Sequence, residues 1–294
     1  MYLIFDIGGT AVKYCYSNNK NEIIGKQEFE TASLTNLELF IDRLSNVYFQ
    51  SDYNIEGIAI SCTGVIDAKT GIIKTITAYP YLQGICLTEI LSRVCNGVKV
   101  TIENDAKCAG LAEVWSGNAK DCKDALVVVL GTGIGGAVIK DRKIHHGASL
   151  SAGEISTIIV DYDKSNGRFL TWSDIASTSA LCRRVAATLG IEKIDGRKIF
   201  ELVKQNNEKV IQVLDAFCFD IAVQLFNLQH IYDPEIICIG GGISRQNILI
   251  KKIQKAIMKI YNESDQLLIP NVVSCKYYNE ANMIGALYHY KMTK

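Results

Sequence analysis

The sequence has no excess of either charge: 31 Lys and Arg stand against 31 Asp and Glu in 294 residues. No basic surface therefore advertises nucleic acid or acidic lipid as a partner. Proline is scarce, three residues in all, and no low-complexity stretch occurs, so no flexible linker is expected. The ten cysteines lie singly from Cys15 to Cys275 with no Cys-x-x-Cys pair among them. With no basic leader at the start, that spread reads as reduced, mostly buried thiols of a cytoplasmic protein. No apolar run approaches the roughly 18–20 residues that a membrane span requires, so no membrane is expected either.

What is present is an ordinary globular composition, 48% hydrophobic and 21% charged, long enough for two domains. Residues 125–141 organise the rest. Leu126 to Leu130 is an apolar, largely β-branched run that reads as a buried strand. Gly131, Gly133, Gly135 and Gly136 then allow a sharp turn whose amides can face an anion, and Ala137-Val138-Ile139 returns as a strand. The glycines also satisfy G-x-G-x-x-G, the dinucleotide-binding pattern. That pattern requires a helix after the glycines and an acidic residue about 20 positions on. Here a strand follows and Asp141 comes too soon, so a phosphate-binding hairpin is the better reading. Tyr2–Phe5, Asp6-Ile-Gly8-Gly9-Thr10 and Ala11–Tyr16, a strand that carries Lys13, repeat the design at the start. Two copies suggest two similar halves facing one cleft.

Strands and helices alternate along the whole chain, which predicts an α/β protein with a mixed sheet in each half. Ile55–Ile60 leads into the loop Ser61–Gly64, and Val98–Ile102 leads into Glu103-Asn104-Asp105 with a helix over 106–115. Asn104 and Asp105 thus sit at a strand end beside a helix N-terminus, a place that favours negative charge. An Asn-Asp pair there serves equally well as an N-cap. Further on come a loop over 147–156 with Gly153-Glu154, and helices over 177–189, 196–205 and 208–231. A strand enters Gly240-Gly241-Gly242, a helix covers 246–261, and a last strand (272–277) and closing helix (279–290) complete the chain.

Taken together, Asp6-x-Gly-Gly-Thr10, Glu103-Asn-Asp-Ala106, Gly131-Thr-Gly-Ile-Gly-Gly136, Ala152-Gly-Glu154 and Gly240-Gly-Gly-Ile-Ser244 resemble the ROK family of bacterial sugar kinases and sugar-responsive repressors. The resemblance implies the actin-like ATPase (ribonuclease H-like) fold, two α/β domains with a cleft between them. The expected domains are 1–117 and 118–278, with the closing segment 279–294 packing back on the first. It implies ATP and Mg²⁺, with Asp6 orienting the ion indirectly and Gly8, Gly9, Thr10 and Lys13 near the phosphates. Gly131, Thr132 and Gly133 would grip the transferring phosphate, and Gly241 and Gly242 would lie under the adenosine. Asp105 resembles the general base for a sugar hydroxyl; Gly64, Asn104 and Glu154 would hold the sugar. The family resemblance also implies a homodimer.

Two departures narrow the resemblance. Many members carry Gly-His after the glutamate and a zinc-binding cysteine cluster; here Ile155-Ser156-Thr157 follows Glu154 and residues 158–172 contain neither Cys nor His. No structural zinc is expected. A second sugar-binding glutamate is replaced by Ser173, with Asp174 next to it as a partial substitute. The sequence is thus similar to the zinc-free branch, which includes N-acetylmannosamine kinases and β-glucoside kinases, and the acceptor is expected to be such a hexose, phosphorylated at its 6-hydroxyl. A non-catalytic sugar-binding regulator is the alternative. The family's regulators carry a helix-turn-helix domain ahead of the phosphate motif, and a motif that begins at Asp6 leaves no room for one.

Overall fold

Two five-stranded sheets built to one plan organise the chain. The structure, a computed structural model, describes residues 1–265 and 268–293. The first unit comprises Met1–Trp115, His146–Ser151 and the residues from Glu280 on. Its elements are β1 (Tyr2–Ile7), β2 (Ala11–Ser17), β3 (Ile23–Glu30), α1 (Leu37–Phe49), β4 (Gly57–Cys62), β5 (Val65–Asp67), β6 (Ile72–Thr75), α2 (Leu87–Val94), β7 (Lys99–Asn104), α3 (Asp105–Ser116) and the closing helix Ala281–Met292. The sheet order is β3-β2-β1-β4-β7, antiparallel from β3 to β1 and parallel from β1 to β7.

The parallel strands are apolar almost without alternation because both faces are covered. Leu3, Phe5, Ile58 and Ile60 face Phe40, Leu44 and Leu91 on one side. Ile4 and Ala59 meet Cys108 of α3 and Met283, Ala286 and Leu287 of the closing helix on the other. Register then aligns the carboxyl ends: Asp6 pairs with Ser61, and Ser61 with Glu103. Ligands of α/β sheets collect at this edge.

The second unit comprises Ser116–His145 and Ala152–Asn279. It holds β8 (Ala125–Leu130), β9 (Ile134–Lys140), β10 (Lys143–Ile144), β11 (Ile159–Asp163), β12 (Arg168–Thr171), α4 (Trp172–Ala176), α5 (Thr178–Leu189), α6 (Gly196–Lys204), α7 (Glu208–Tyr232), β13 (Ile236–Gly240), α8 (Asn247–Glu263) and β14 (Val272–Ser274). Its main sheet, β10-β9-β8-β13-β14, has the same sequence of antiparallel and parallel neighbours as the first. The repeated strand–glycine turn–strand is therefore the β1–β2 hairpin in one unit and the β8–β9 hairpin in the other.

Several expectations change. The chain passes from one unit to the other at Trp115/Ser116, and residues 146–151 belong to the first, where Glu103 and Lys107 bind them. Lys294, at the end of the closing segment, lies outside the described residues. The last strand stops at Ser274, since Lys276 Nζ and the Tyr277 hydroxyl turn to the Ser116 carbonyl. The hairpin β11–β12 and helix α4 were not anticipated. Helix α7 also comes closer to a membrane span than expected: by length and composition it qualifies, with mean hydropathy 1.5 over 18 residues. Its apolar side, from Val210 through Phe217 and Ile221 to Leu228, is buried in the core of its own unit.

Candidate active site

In the first unit, Asp6 is the next-to-last residue of β1 and is only 8% exposed. Its Oδ1 accepts from the Ser61 hydroxyl (2.9 Å) and the Asn282 amide (3.1 Å). Burial pushes this carboxyl above its ordinary value, against the pull of those two hydrogen bonds and of Lys13, its register partner on β2. Gly8, Gly9 and Thr10 make the turn; the Gly8 amide donates to the Ala11 carbonyl (3.1 Å), and Gly9 and Thr10 are exposed. A buried, only partly compensated carboxylate beside exposed amides suits a cation that arrives with a phosphate.

Asn104 and Asp105 stand where β7 becomes α3. Asn104 is buried, and every polar atom of its side chain is used. Its Oδ1 accepts the Lys107 amide (3.0 Å), the N-cap bond to the third helical residue. Its Nδ2 donates to the Gly64 carbonyl (2.9 Å) and to Asp105 Oδ1 (3.0 Å), which also accepts the Ala106 amide (2.8 Å). The helix cap and the contact to Asp105 thus share one side chain. Gly64 contributes its backbone: φ is +101°, and a Cβ there would lie 2.3 Å from the Thr75 carbonyl oxygen.

In the second unit the β8–β9 turn closes with Gly131 N–H donating to the Gly133 carbonyl (2.9 Å). Thr132 and Gly133 are exposed. Helix α5 begins at this turn. The Thr178 amide donates to the Gly131 carbonyl (2.9 Å), the Thr178 hydroxyl to the Leu130 carbonyl (3.1 Å), and Ser177 caps the helix through the Ala180 amide (3.1 Å). The positive end of the α5 dipole therefore reinforces the glycine turn.

A cavity of about 880 Å³ opens beside that turn. Gly131, Thr132, Thr178, Ser179 and Gly242 form its polar end, and Ala186, Ile194, Phe200 and Ile243 give it apolar walls. Arg183, Lys193, Arg197 and Arg245 stand around it. The size and lining suit a small organic ligand with an anionic tail. Gly241 precedes the lining residue Gly242 and packs against Leu130: φ is +90°, and a Cβ would lie 2.2 Å from the Leu130 carbonyl oxygen. Thr178, Ser179 and Arg245 were missed from sequence; the run Ser177-Thr178-Ser179 was the available cap signal.

Glu154 is half-buried in the turn after Gly153, and its main-chain carbonyl accepts the Thr157 hydroxyl (3.1 Å). Ser173 lies by the glycine turn, its Oγ 3.4 Å from where a Gly133 Cβ would stand. Asp174, one residue on, is committed elsewhere. It accepts from the Thr171 amide (3.0 Å) and hydroxyl (2.8 Å) in a capping box and pairs with Arg168 (2.8 Å). Both of its carboxylate oxygens are thus engaged within the second unit. Among the described residues, no group of three or more His, Cys, Asp and Glu is placed to hold a metal ion.

Comparison with known proteins fits this geometry. A β-glucoside kinase of Listeria monocytogenes is 31% identical over 97% of this chain and 96% of its own length. A ROK family protein from Streptococcus pneumoniae, solved with sucrose, superposes with TM-score 0.88 at 30% identity over 98% of this chain and 97% of that one. A ROK family glucokinase from Streptomyces griseus, solved with glucose and AMPPNP, has the same fold: TM-score 0.82, 22% identity, 97% of both chains. The fold is the actin-like ATPase fold of these proteins. Residues 2–292 match the sequence profile of the ROK family, and the chain belongs to it.

Proposed function

We propose that the protein is an ATP-dependent sugar kinase that transfers the γ-phosphate to the 6-hydroxyl of a hexose or hexose derivative, of the N-acetylmannosamine, glucose or β-glucoside type. The observation that carries this is Asp105, a carboxylate with one oxygen fixed by two donors at the carboxyl edge of three parallel strands. Asp105 takes the proton as the sugar oxygen attacks phosphorus and ADP departs, the usual role of a carboxylate in this step. Gly64, Asn104, Glu154 and Ser173 hold the acceptor.

The nucleotide occupies the cavity of the second unit. Gly241 and Gly242 lie under the adenosine, and Gly131, Thr132 and Gly133 grip the terminal phosphate. Gly8, Gly9, Thr10 and Lys13 complete the phosphate contacts. Asp6 would hold Mg²⁺ together with the nucleotide, and the ion would supply charge neutralisation at the phosphates. The buried carboxylate of Asp6 fits that task. The kinase names of relatives such as the Listeria β-glucoside kinase support the reading, and the assembly is a cytoplasmic homodimer.

An ADP-release assay with ATP and Mg²⁺ over cellobiose, glucose, N-acetylglucosamine, N-acetylmannosamine, mannose and fructose tests it, with NMR to locate the phosphate. ADP formed with at least one hexose, phosphorylated at O6, is expected. No sugar-dependent ADP from any of them would overturn it. Light scattering at micromolar concentration checks the dimer.

A further inference from the structure

Between β10 and β11 the chain leaves the second unit, and residues His146–Ser151 pack with the first. Polar contacts hold this strap at two places, and in sequence they bracket Asp105. Ahead of it, the fully buried Glu103 divides its oxygens: Oε1 accepts the Asn104 amide (2.8 Å) and Oε2 lies 2.7 Å from His146 Nε2. Behind it, the fully buried Lys107 donates from Nζ to the Leu150 carbonyl (3.3 Å). Leu150 sits at φ +64°, a conformation that disfavours a leucine and persists where surrounding contacts over-determine it.

These contacts run into Asp105. His146 fixes the Glu103 carboxylate, Glu103 fixes the backbone of Asn104, and the Asn104 amide fixes Asp105 Oδ1. A buried carboxylate left without its partner would reorient toward other donors and take the Asn104 backbone with it.

We propose that the strap is a splint for the base, with His146, Glu103 and Lys107 as positioning residues. None of them is assigned to touch substrate. The proposal rests on Asp105 being the general base, and it adds that the aim of that carboxylate depends on a segment more than 40 residues downstream, since His146 and Glu103 are 43 positions apart.

The test compares wild type, His146→Ala, His146→Gln and Lys107→Met. His146 is 24% exposed, so its variants are the ones best placed to fold. In His146→Ala, kcat should fall on the order of 10–100-fold, the effect of misplacing a reacting group, while KM for sugar and ATP stays within about twofold. His146→Gln should recover most of the loss, because its amide can still donate to Glu103. Lys107→Met, if it folds, should also lose kcat with little change in KM. Hydrogen exchange at the Asn104 amide, which donates to Glu103 Oε1, should quicken in His146→Ala and return toward wild type in His146→Gln. A kcat for His146→Ala within about twofold of wild type would sink the proposal. If wild type turns over no sugar, the kinase assignment fails separately. The exchange experiment still decides the splint, and unchanged protection in His146→Ala would overturn it alone.

Discussion

Asn104 Nδ2 lies 3.0 Å from Asp105 Oδ1 and 2.9 Å from the Gly64 carbonyl, so one amide group joins the proposed base to the neighbouring strand-end loop. Asp105→Asn keeps the shape and removes the basicity. We expect kcat to drop about 10²–10⁴-fold, the usual worth of a positioned base, with the sugar Kd by calorimetry within a few-fold of wild type. Transfer that survives Asp105→Asn would take the residue out of this role. Asn104→Ala should cost both rate and about 1 kcal/mol of stability, because the same side chain caps α3.

Asp6 predicts an opposition between activity and stability. Its carboxyl is pushed up by burial. A group whose folded pKa is raised contributes stability below the ordinary value of 3.8, and that contribution is lost as pH rises through the folded value. Ionisation of this carboxyl therefore burdens the unliganded protein. Asp6→Asn keeps an oxygen for Ser61 and Asn282 and removes the charge. Its Tm without nucleotide should equal or exceed that of wild type, while phosphotransfer with Mg²⁺ and ATP collapses. A Tm several degrees lower would show that the ionised carboxylate stabilises the folded chain, and the opposition would be refuted.

Gly241 and Gly242 offer an internal comparison. An alanine Cβ at 241 would lie 2.2 Å from the Leu130 carbonyl oxygen, the atom that also accepts the Thr178 hydroxyl; at 242 it meets nothing within 4 Å. Gly241→Ala should destabilise by about 1–3 kcal/mol, the cost of a strained backbone position. It should also raise KM for ATP without a matching change in the sugar Kd. Gly242→Ala should unfold at nearly the wild-type temperature. Equal Tm for the two variants would contradict the described path of this loop.

Much of this was legible in the sequence because the decisive signals are local. Each glycine turn is written within six residues of a buried strand, and the two sheets that follow from them share one strand order. Asn104-Asp105 could not be resolved into cap or site from spacing, and the structure explains why: Asn104 caps α3 with its oxygen while its amide binds Asp105, the proposed base. The strap was illegible, since nothing near His146 encodes a partner 43 residues away. The hairpin β11–β12 was missed because its residues are exposed or half-buried along both strands, which leaves no period-two pattern to find. That omission hid α4, and with it the use of Asp174.

Asp174 gives the last test, on stability and not on chemistry. The Thr171 amide, then its hydroxyl, hold this carboxyl below its ordinary 3.8, with Arg168 and Arg183 assisting. For a depressed folded pKa, the stabilisation is present above the ordinary value and is lost as pH falls through the folded one. Asp174→Ala should therefore cost about 1 kcal/mol at pH 7, the worth of a cap partner on a partly exposed helix start. The gap from wild type, measured by urea unfolding, should close as pH drops below 3.8. KM for the accepted sugar should stay within about twofold. A large rise in KM at unchanged stability would return Asp174 to the sugar site as stand-in for the missing glutamate.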